Sequence, residues 1–145
     1  MKSRRLASGT EQTFALVFAT GDEVMSGLTE FAKETGLGGA RFTGIGAFSN
    51  VLLGYWNVEG RRYEEIQVRE QVEVLALTGD VAVEEGEPRV HAHVVLGTRD
   101  GSARGGHLLE GHVRPTLEVM VEESPAHLRK RFDPESGLAL IDPSL

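Results

Sequence analysis

Apolar and polar residues alternate along most of the chain, which is the pattern of half-buried β-strands. The first such segment is TFALVFAT, residues 13–20, and almost everything from Gly39 to Glu123 has the same character. Glycine, proline and acidic residues interrupt this region and predict turns between short strands. The predicted strands after the first cover residues 41–45, 51–58, 62–69, 73–83, 90–98, 102–109 and 116–122.

Residues 22–35 have a helical pattern instead. Their apolar positions recur at i, i+4, i+7 and i+8 and so fall on one face of a helix. Asp22 suits the N-cap position, and Gly36 suits the left-handed position after the last turn. Residues 126–132 allow a short C-terminal helix. We therefore predict an α+β fold, with one main helix on a mostly antiparallel or mixed sheet. The apolar face of the main helix consists of Val24, Leu28, Phe31 and Ala32.

The length and composition fit one domain. The chain has 145 residues, 40% of them hydrophobic, and contains neither a repeat nor a linker. We expect a single domain over residues 1–145, with a core at about 13–123 and a tail at 124–145. The sequence has no apolar leader segment and no apolar run near the roughly 20 residues that span a membrane. The expected location is therefore the cytoplasm.

The charge disfavours nucleic acid as a partner. The formal net charge is −7, and an acidic domain is repelled by phosphate. Two local basic groups stand out, Lys2 with Arg4 and Arg5, and residues 129–131. The simpler interpretation of both groups is solvated charge near the termini.

Histidines are the most informative feature of the sequence. His91 and His93 are two residues apart in the predicted strand VHAHVVL, so they face the same side of the sheet, about 6–7 Å apart along the strand. The intervening Ala92 then faces the core. The chain has no cysteine, so any metal must be held by histidine and carboxylate side chains.

The turn after this strand decides whether His107 joins the other two histidines. A two-residue loop, 100–101, would leave His107 on the opposite face of the sheet. A three-residue loop, 99–101, with its glycine in the left-handed region, pairs His93 with His107 on the same face. A shared metal site requires the second arrangement or an equivalent bulge.

Three histidines with one open coordination position are typical of a catalytic zinc centre. The alternative interpretation is that His91, His93 and His107 are ordinary surface or hydrogen-bonded histidines. We predict a divalent metal site, with zinc as the first choice of metal. Residues on nearby strands are further candidates for the site. The carboxylates and the additional histidine could act as a ligand or a general base, and the glycines could let the backbone approach a ligand or a second subunit. These candidates are Glu110, His112, Glu118, Gly105 and Gly106, with Glu64 and Glu73 as further carboxylates.

Other glycine motifs give weaker signals. The segment GIGA, residues 44–47, is predicted as a tight turn between strands, because it lacks the full GxGxxG pattern and the P-loop lysine. Gly79 is predicted as a bulge or bend in its strand. The chain also lacks the Gly-x-Ser-x-Gly elbow of serine hydrolases.

Three segments together resemble the plants-and-prokaryotes-conserved (PPC) domain. They are GIGAFSNVLLGYWN, EVLALTGDVA and HAHVVLGTRDGSARGGHLLEGHV, and the similarity runs from about Phe14 to Glu122. The resemblance implies an α+β homotrimer of the free-standing prokaryotic type, which is often labelled DNA-binding through its plant relatives. The plant AT-hook, Arg-Gly-Arg-Pro, is missing here. The resemblance also implies zinc on His91, His93 and His107, because acetolactate decarboxylase has the same fold and a comparable set of histidines. The catalytic residues of that enzyme cannot be mapped onto this chain.

These observations leave three hypotheses for function. The first is a homotrimeric PPC-type domain that binds a divalent metal and has an unassigned role. The second is a small metal-dependent enzyme acting on an oxygen-rich metabolite. The third is a DNA-associated regulatory protein. A bound metal would not by itself establish catalysis, so the sequence leaves open whether the chain is an enzyme.

Overall fold

The computed structural model describes residues 1–7, 12–124 and 127–145, with the side chains of residues 3–7 outside the description. Strands account for 66% of the structure and helix for 9%. The strands are β1 (Lys2–Ala7), β2 (Thr13–Ala19), β3 (Gly39–Asn57), β4 (Arg62–Val68), β5 (Val72–Glu84), β6 (Glu87–Gly97), β7 (Ala103–Glu123), β8 (Lys130–Asp133) and β9 (Leu138–Ile141). The α+β prediction is therefore wrong, because the fold is mostly β with one short helix.

Two strands are much longer than predicted. β3 has 19 residues and β7 has 21, and each replaces two shorter predicted strands. The predicted turn at residues 44–47 lies inside β3, where the register shifts between Gly44 and Gly46. Glycine in a strand marks either a turn or a bulge, and in β3 the strand continues because it has partners on both sides.

The long strands close the sheet on itself. Seven strands lie in the order β1-β2-β7-β6-β5-β3-β4, with an additional pairing between β7 and β3. The pairings are antiparallel. β3, β5, β6 and β7 thus form a closed ring, which leaves few free strand edges. The site described below lies on the outer face of this ring.

The helix α1 (Val24–Thr35) packs against β6 and β7. The predicted face is confirmed, since all four of its apolar residues are buried. The N-cap is Glu23, not Asp22, because the Glu23 carboxylate accepts hydrogen bonds from the backbone N–H groups of Met25 and Ser26 at 2.9 and 2.7 Å. Gly36 ends the helix in the left-handed conformation, as predicted.

The C-terminal residues form a β-hairpin and not a helix. β8 pairs with β9, and Asp133 accepts a hydrogen bond from Ser136 N–H in the turn between them. The predicted helix over 126–132 is wrong for its described residues 127–132, while residue 126 lies outside the description. A seven-residue helix is too short to form without packing, whereas pairing with β9 satisfies the backbone of β8. The hairpin lies against β5.

Gly79 lies in a regular part of the β5 ladder, so the predicted bulge there is wrong. The register shift in β5 falls between Val74 and Ala76. A Cβ atom at Gly79 would come within 2.2 Å of the His91 carbonyl oxygen, which explains the glycine by close strand approach. The described part of the chain contains no helix that is long and apolar enough to cross a membrane.

Candidate metal centre

The hairpin of β6 and β7 brings the three histidines together. His93 lies directly opposite His107 in the register, so this part of the prediction is confirmed. The ring centroids are 5.1 Å apart for His91 and His93, 5.2 Å for His91 and His107, and 5.4 Å for His93 and His107. One nitrogen from each ring lies within 4.8 Å of the others. The three rings could therefore hold a metal ion together.

The predicted three-residue loop produces this register. Thr98 N–H donates to the Ser102 carbonyl at 2.9 Å, which closes the loop over residues 99–101. Gly101 has φ +83°, the left-handed conformation that glycine adopts without strain. The side chain of Asp100 accepts hydrogen bonds from Thr98 and Ser102, and these hold its pKa well below the ordinary value. The loop is thus fixed by local hydrogen bonds.

The alternation of β6 separates the site from the core. Ala92, Val94 and Leu96 are buried in the core, while the histidines lie on the other face. The histidine cluster is therefore accessible from the outside of the ring and still rests on a rigid, hydrogen-bonded sheet.

Asp80 on β5 lies opposite His91, and sequence reasoning missed it. Its Oδ2 is 3.4 Å from His91 Nδ1, and its Oδ1 is 3.6 Å from Lys130 Nζ. Burial acts to raise the pKa of Asp80, but the hydrogen bond with His91 and the charge of Lys130 lower it below its ordinary value. A carboxylate behind an imidazole fixes its orientation, as is usual around metal ligands.

The turn between β5 and β6 could have revealed Asp80. Glu85 and Gly86 both have positive φ, 51° and 85°, as in the two-residue turns that join tight hairpins. Such a turn pairs Glu84 with Glu87, and counting back along both strands pairs Asp80 with His91. The signal was the Glu-Gly dipeptide, which is weaker than Asn-Gly or Asp-Gly.

An aromatic stack supports the third histidine. Tyr63 on β4 stacks on His107, with ring centroids 4.5 Å apart and an interplanar angle of 20°. Trp56 packs edge-on against Tyr63 at 5.0 Å. Gly54 pairs with His107, and its missing side chain makes room for the Tyr63 ring, because a Cβ there would lie 2.7 Å from it. Burial raises the pKa of Tyr63.

The electrostatics of the cluster favour the neutral form of two imidazoles, those of His93 and His107. Burial lowers the pKa of His107 to about 4, and charge on His91, His93 and Lys130 adds to the effect. Burial also lowers the pKa of His93, helped by His91. A neutral imidazole is the form that binds a metal.

One atom of the cluster lacks a partner. His107 Nδ1 is buried and makes no hydrogen bond within the described residues. Buried polar atoms are normally satisfied, and an exception often marks an absent ion or water. The donor set of three imidazole nitrogens and the orphaned atom both fit a divalent metal such as Zn²⁺.

Three of the predicted neighbours of the site have other surroundings. The side chains of Glu110 and His112 pair with each other. The backbone of His112 also forms an isolated antiparallel β-bridge with Glu23, just before α1. Glu118 lines an apolar groove beside Ile45. Among the described residues, the cluster that could hold a metal ion contains none of these side chains.

Gly105 and Gly106 allow the backbone of neighbouring strands to approach closely. A Cβ at Gly105 would lie 2.8 Å from the Val94 carbonyl oxygen, and one at Gly106 would lie 3.0 Å from that of Gly54. The contacts within the chain account for both glycines without a ligand or a second subunit. Of the other carboxylates, Glu64 accepts a hydrogen bond from Asn57.

The basic group at residues 129–131 is largely engaged within the protein. Lys130 turns toward Asp80, and Arg131 pairs with Asp142 at 3.1 Å. The side chains of Arg4 and Arg5, the other basic group, lie outside the described residues.

Comparisons with known proteins agree with this architecture. The model of the Plants and Prokaryotes Conserved (PCC) domain family matches residues 5–125. A Pyrococcus horikoshii structure, described as a plant- and prokaryote-conserved (PPC) protein, has a TM-score of 0.84 and 34% identity, with 90% of each chain covered. The curated proteins include no significant match to this chain.

Two further solved structures bear on function. One, from Bacteroides thetaiotaomicron, is described as a "putative dna binding protein" and has a TM-score of 0.88 and 26% identity, with 99% of each chain covered. The other is a metal-containing protein from Archaeoglobus fulgidus, with a TM-score of 0.82 and 33% identity. The alignment covers 89% of this chain and 91% of that one.

Proposed function

The chain belongs to the Plants and Prokaryotes Conserved domain family, and within it we propose a homotrimeric, cytoplasmic protein that binds a divalent metal. His91, His93 and His107 are its ligands. The observation that carries the metal proposal is the convergence of three imidazoles within 4.8 Å of one another. The low pKa of His107 and its orphaned Nδ1 support it, as does the metal-containing relative from Archaeoglobus fulgidus.

Zinc is the metal that we propose, because three neutral nitrogen donors with room for a fourth ligand suit its tetrahedral preference. When bound, zinc would supply a Lewis acid at the outer face of the sheet. Asp80 is proposed as the residue that orients His91, since it lies against Nδ1 and leaves Nε2 for the metal.

Metal analysis of untagged protein tests this proposal. We expect about one zinc per chain in the wild type and almost none in a His91→Ala, His93→Ala double variant, because one remaining imidazole binds weakly. Circular dichroism of both proteins checks that the fold persists. Equally low metal content in both proteins, after purification without chelator and with zinc added back, would contradict the proposed metal site.

The homotrimer is proposed from an exposed apolar groove. The groove has a volume of about 490 Å³, and large exposed side chains line it. Contiguous apolar surface of this kind marks interaction sites, and α1 covers a different part of the sheet. We propose that second copies of the chain cover the groove. Its exposed apolar residues are Val17, Ile45, Leu75 and Met120.

Sedimentation velocity tests the trimer. We expect the wild type to sediment as a trimer and Ile45→Glu, which places a charge in the groove, to sediment as a monomer. Ile45 is 62% exposed in one chain, so the substitution costs the monomer little. Val58→Glu, equally exposed but outside the groove, is the matched control and should stay trimeric. A monomeric wild type at micromolar concentration contradicts this part of the proposal.

A metal-dependent enzyme acting on a small oxygen-rich metabolite is the second candidate. The observation that favours it is a cleft beside the histidines, with the carboxylate of Asp80 in its wall. Proton NMR of the zinc-loaded protein with hydroxy and oxo acids tests it. Turnover by the wild type that the double histidine variant lacks would establish an enzyme, and no turnover by either would disfavour one.

DNA association is the third candidate, and the descriptions of relatives such as the one from Bacteroides thetaiotaomicron favour it. The net charge of −7 and the pairing of Arg131 with Asp142 argue against it. Fluorescence anisotropy of a labelled duplex at low salt should detect no binding. Binding that weakens steeply with added salt would reverse this order of candidates.

A further inference from the structure

A cleft of about 480 Å³ lies beside the histidine cluster. His91 and His107 line one part of it, and the strand β9 of the C-terminal hairpin lines another with residues 138–141, Leu-Ala-Leu-Ile. This volume suits a small ligand, and the combination of an apolar wall with a few polar groups is typical of ligand sites. The cleft is formed only because the last strands fold back over the sheet.

The charges in the cleft are balanced without a metal. Asp80 and Glu84 carry negative charge, and Arg89 and Lys130 carry positive charge. Arg89 Nε pairs with Glu84 at 3.3 Å, and Lys130 Nζ faces Asp80 at 3.6 Å. Metal-ligating imidazoles are neutral, so a divalent cation there would give the cleft a net charge of about +2. A partly buried excess of positive charge favours an anionic ligand.

Lys130 is the cation best placed to meet such a ligand. Its side chain is only 9% exposed, and its distance to Asp80 exceeds that of a hydrogen bond. Asp80 Oδ1 correspondingly has no hydrogen-bond partner among the described residues. The ammonium group has three donors, and its ion pair with Asp80 leaves donors for another acceptor. Arg131, the next residue, is 58% exposed, pairs with Asp142 and does not line the cleft.

We propose that this cleft binds a small aliphatic carboxylate. The carboxylate group lies at the end formed by the histidines and Lys130, and the aliphatic chain lies along the wall formed by residues 138–141. This inference rests on the proposed metal site, because the metal supplies the excess positive charge. It names the class of ligand for that site, which the metal alone does not.

Butyrate is the probe, and zinc-loaded full-length protein is the sample. Isothermal titration calorimetry measures affinity, and the fluorescence of Trp56, the only tryptophan, provides a second signal through Tyr63, which lines the cleft. We expect butyrate to bind and the uncharged butyramide not to bind. Affinity should increase from acetate to butyrate to hexanoate, by up to about fourfold for each methylene group that is buried.

Variants of the hairpin separate the carboxylate contact from general effects. Lys130→Met keeps the aliphatic stem and should weaken butyrate binding by about tenfold or more, as expected for loss of a charge-assisted hydrogen bond. Lys130→Arg should retain most of the binding. Arg131→Met is the matched control and should bind butyrate as the wild type does. Zinc content and thermal unfolding are measured for every variant.

The outcomes are distinguishable. If the wild type holds zinc but does not bind butyrate, or if Lys130→Met binds it as well as the wild type, the carboxylate inference is wrong and the metal site stands. If hexanoate binds no better than acetate, the assignment of the apolar wall is wrong. If the wild type does not hold zinc, metal analysis shows this before any ligand is added, and the proposed function and this inference both fall.

Discussion

Two histidines five residues apart on β7 have very different surroundings. His107 lies where β7 pairs with both β6 and β3, opposite His93 on one side and Gly54 on the other. His112 lies beyond the last β6 pairing, opposite Asn50 of β3, and pairs with Glu110. The strand and the residue type are the same, and both residues are partly buried. What differs is the neighbouring strand, so the partner strands and not the histidine itself determine which imidazole can take part in a metal site.

Removing each of these histidines in turn should give the largest difference in zinc affinity. His107→Ala leaves two imidazoles, and we expect zinc affinity to fall by about 100-fold or more, because a structural or catalytic zinc needs at least three protein ligands. His112→Ala should leave affinity unchanged. Competition with a chromophoric chelator measures both. Equal losses in the two variants would mean that the metal lies elsewhere on β7.

The carboxylates beside the two histidines should also differ in their effect on zinc affinity. Asp80→Asn removes the charge behind His91, and we expect a 10- to 100-fold loss of zinc affinity, roughly the usual effect of losing such a partner. Glu110→Gln removes the corresponding charge beside His112 and should have no effect. The chelator competition applies again. If Glu110→Gln lowers zinc affinity and Asp80→Asn does not, the metal lies at His112 and not at His91.

Acid should destabilise the metal-free protein through His107, and this is the smallest of the expected effects. The pKa of His107 is about 4 in the folded protein and about 6.5 when unfolded. Between these values the unfolded chain binds the extra proton, so the metal-free protein loses stability as the pH falls from about 6.5 toward 4. This one group contributes a slope of at most about 1.4 kcal/mol per pH unit, reduced by its partial exposure.

Urea unfolding at a series of pH values measures this slope. His107→Asn should make the slope shallower, because the titrating group is gone, and His112→Asn is the matched control. Burial also lowers the pKa of His93, so some slope of the same sign should remain in His107→Asn. A slope in His107→Asn as steep as in the wild type would contradict the lowered pKa of His107.

The parts of the site that were predictable from sequence are those fixed by local turns. The loop at residues 99–101 sets the pairing of His93 with His107, and strand alternation sets the shared face of His91 and His93. Both depend on a few neighbouring residues. Asp80 was also within reach, through the turn at Glu85-Gly86.

The remaining features depend on pairings that are distant in the chain. Tyr63 reaches His107 only because β3 pairs with both β4 and β7, and Lys130 reaches Asp80 only because β8 returns to β5. No local pattern in the sequence encodes the pairing of β3 with β7 or the return of β8 to β5. The same reason explains the predicted turn inside β3: the glycines at residues 44–46 resemble a turn until the partner strands are known.

We expect one metal ion to lie among His91, His93 and His107. Anomalous diffraction at the zinc edge, from crystals of untagged protein grown with zinc, tests it most directly. We predict one strong anomalous peak per chain, about 2.0–2.1 Å from a nitrogen of each of the three imidazoles. No peak there, or a peak at Glu110 and His112 instead, would contradict the account.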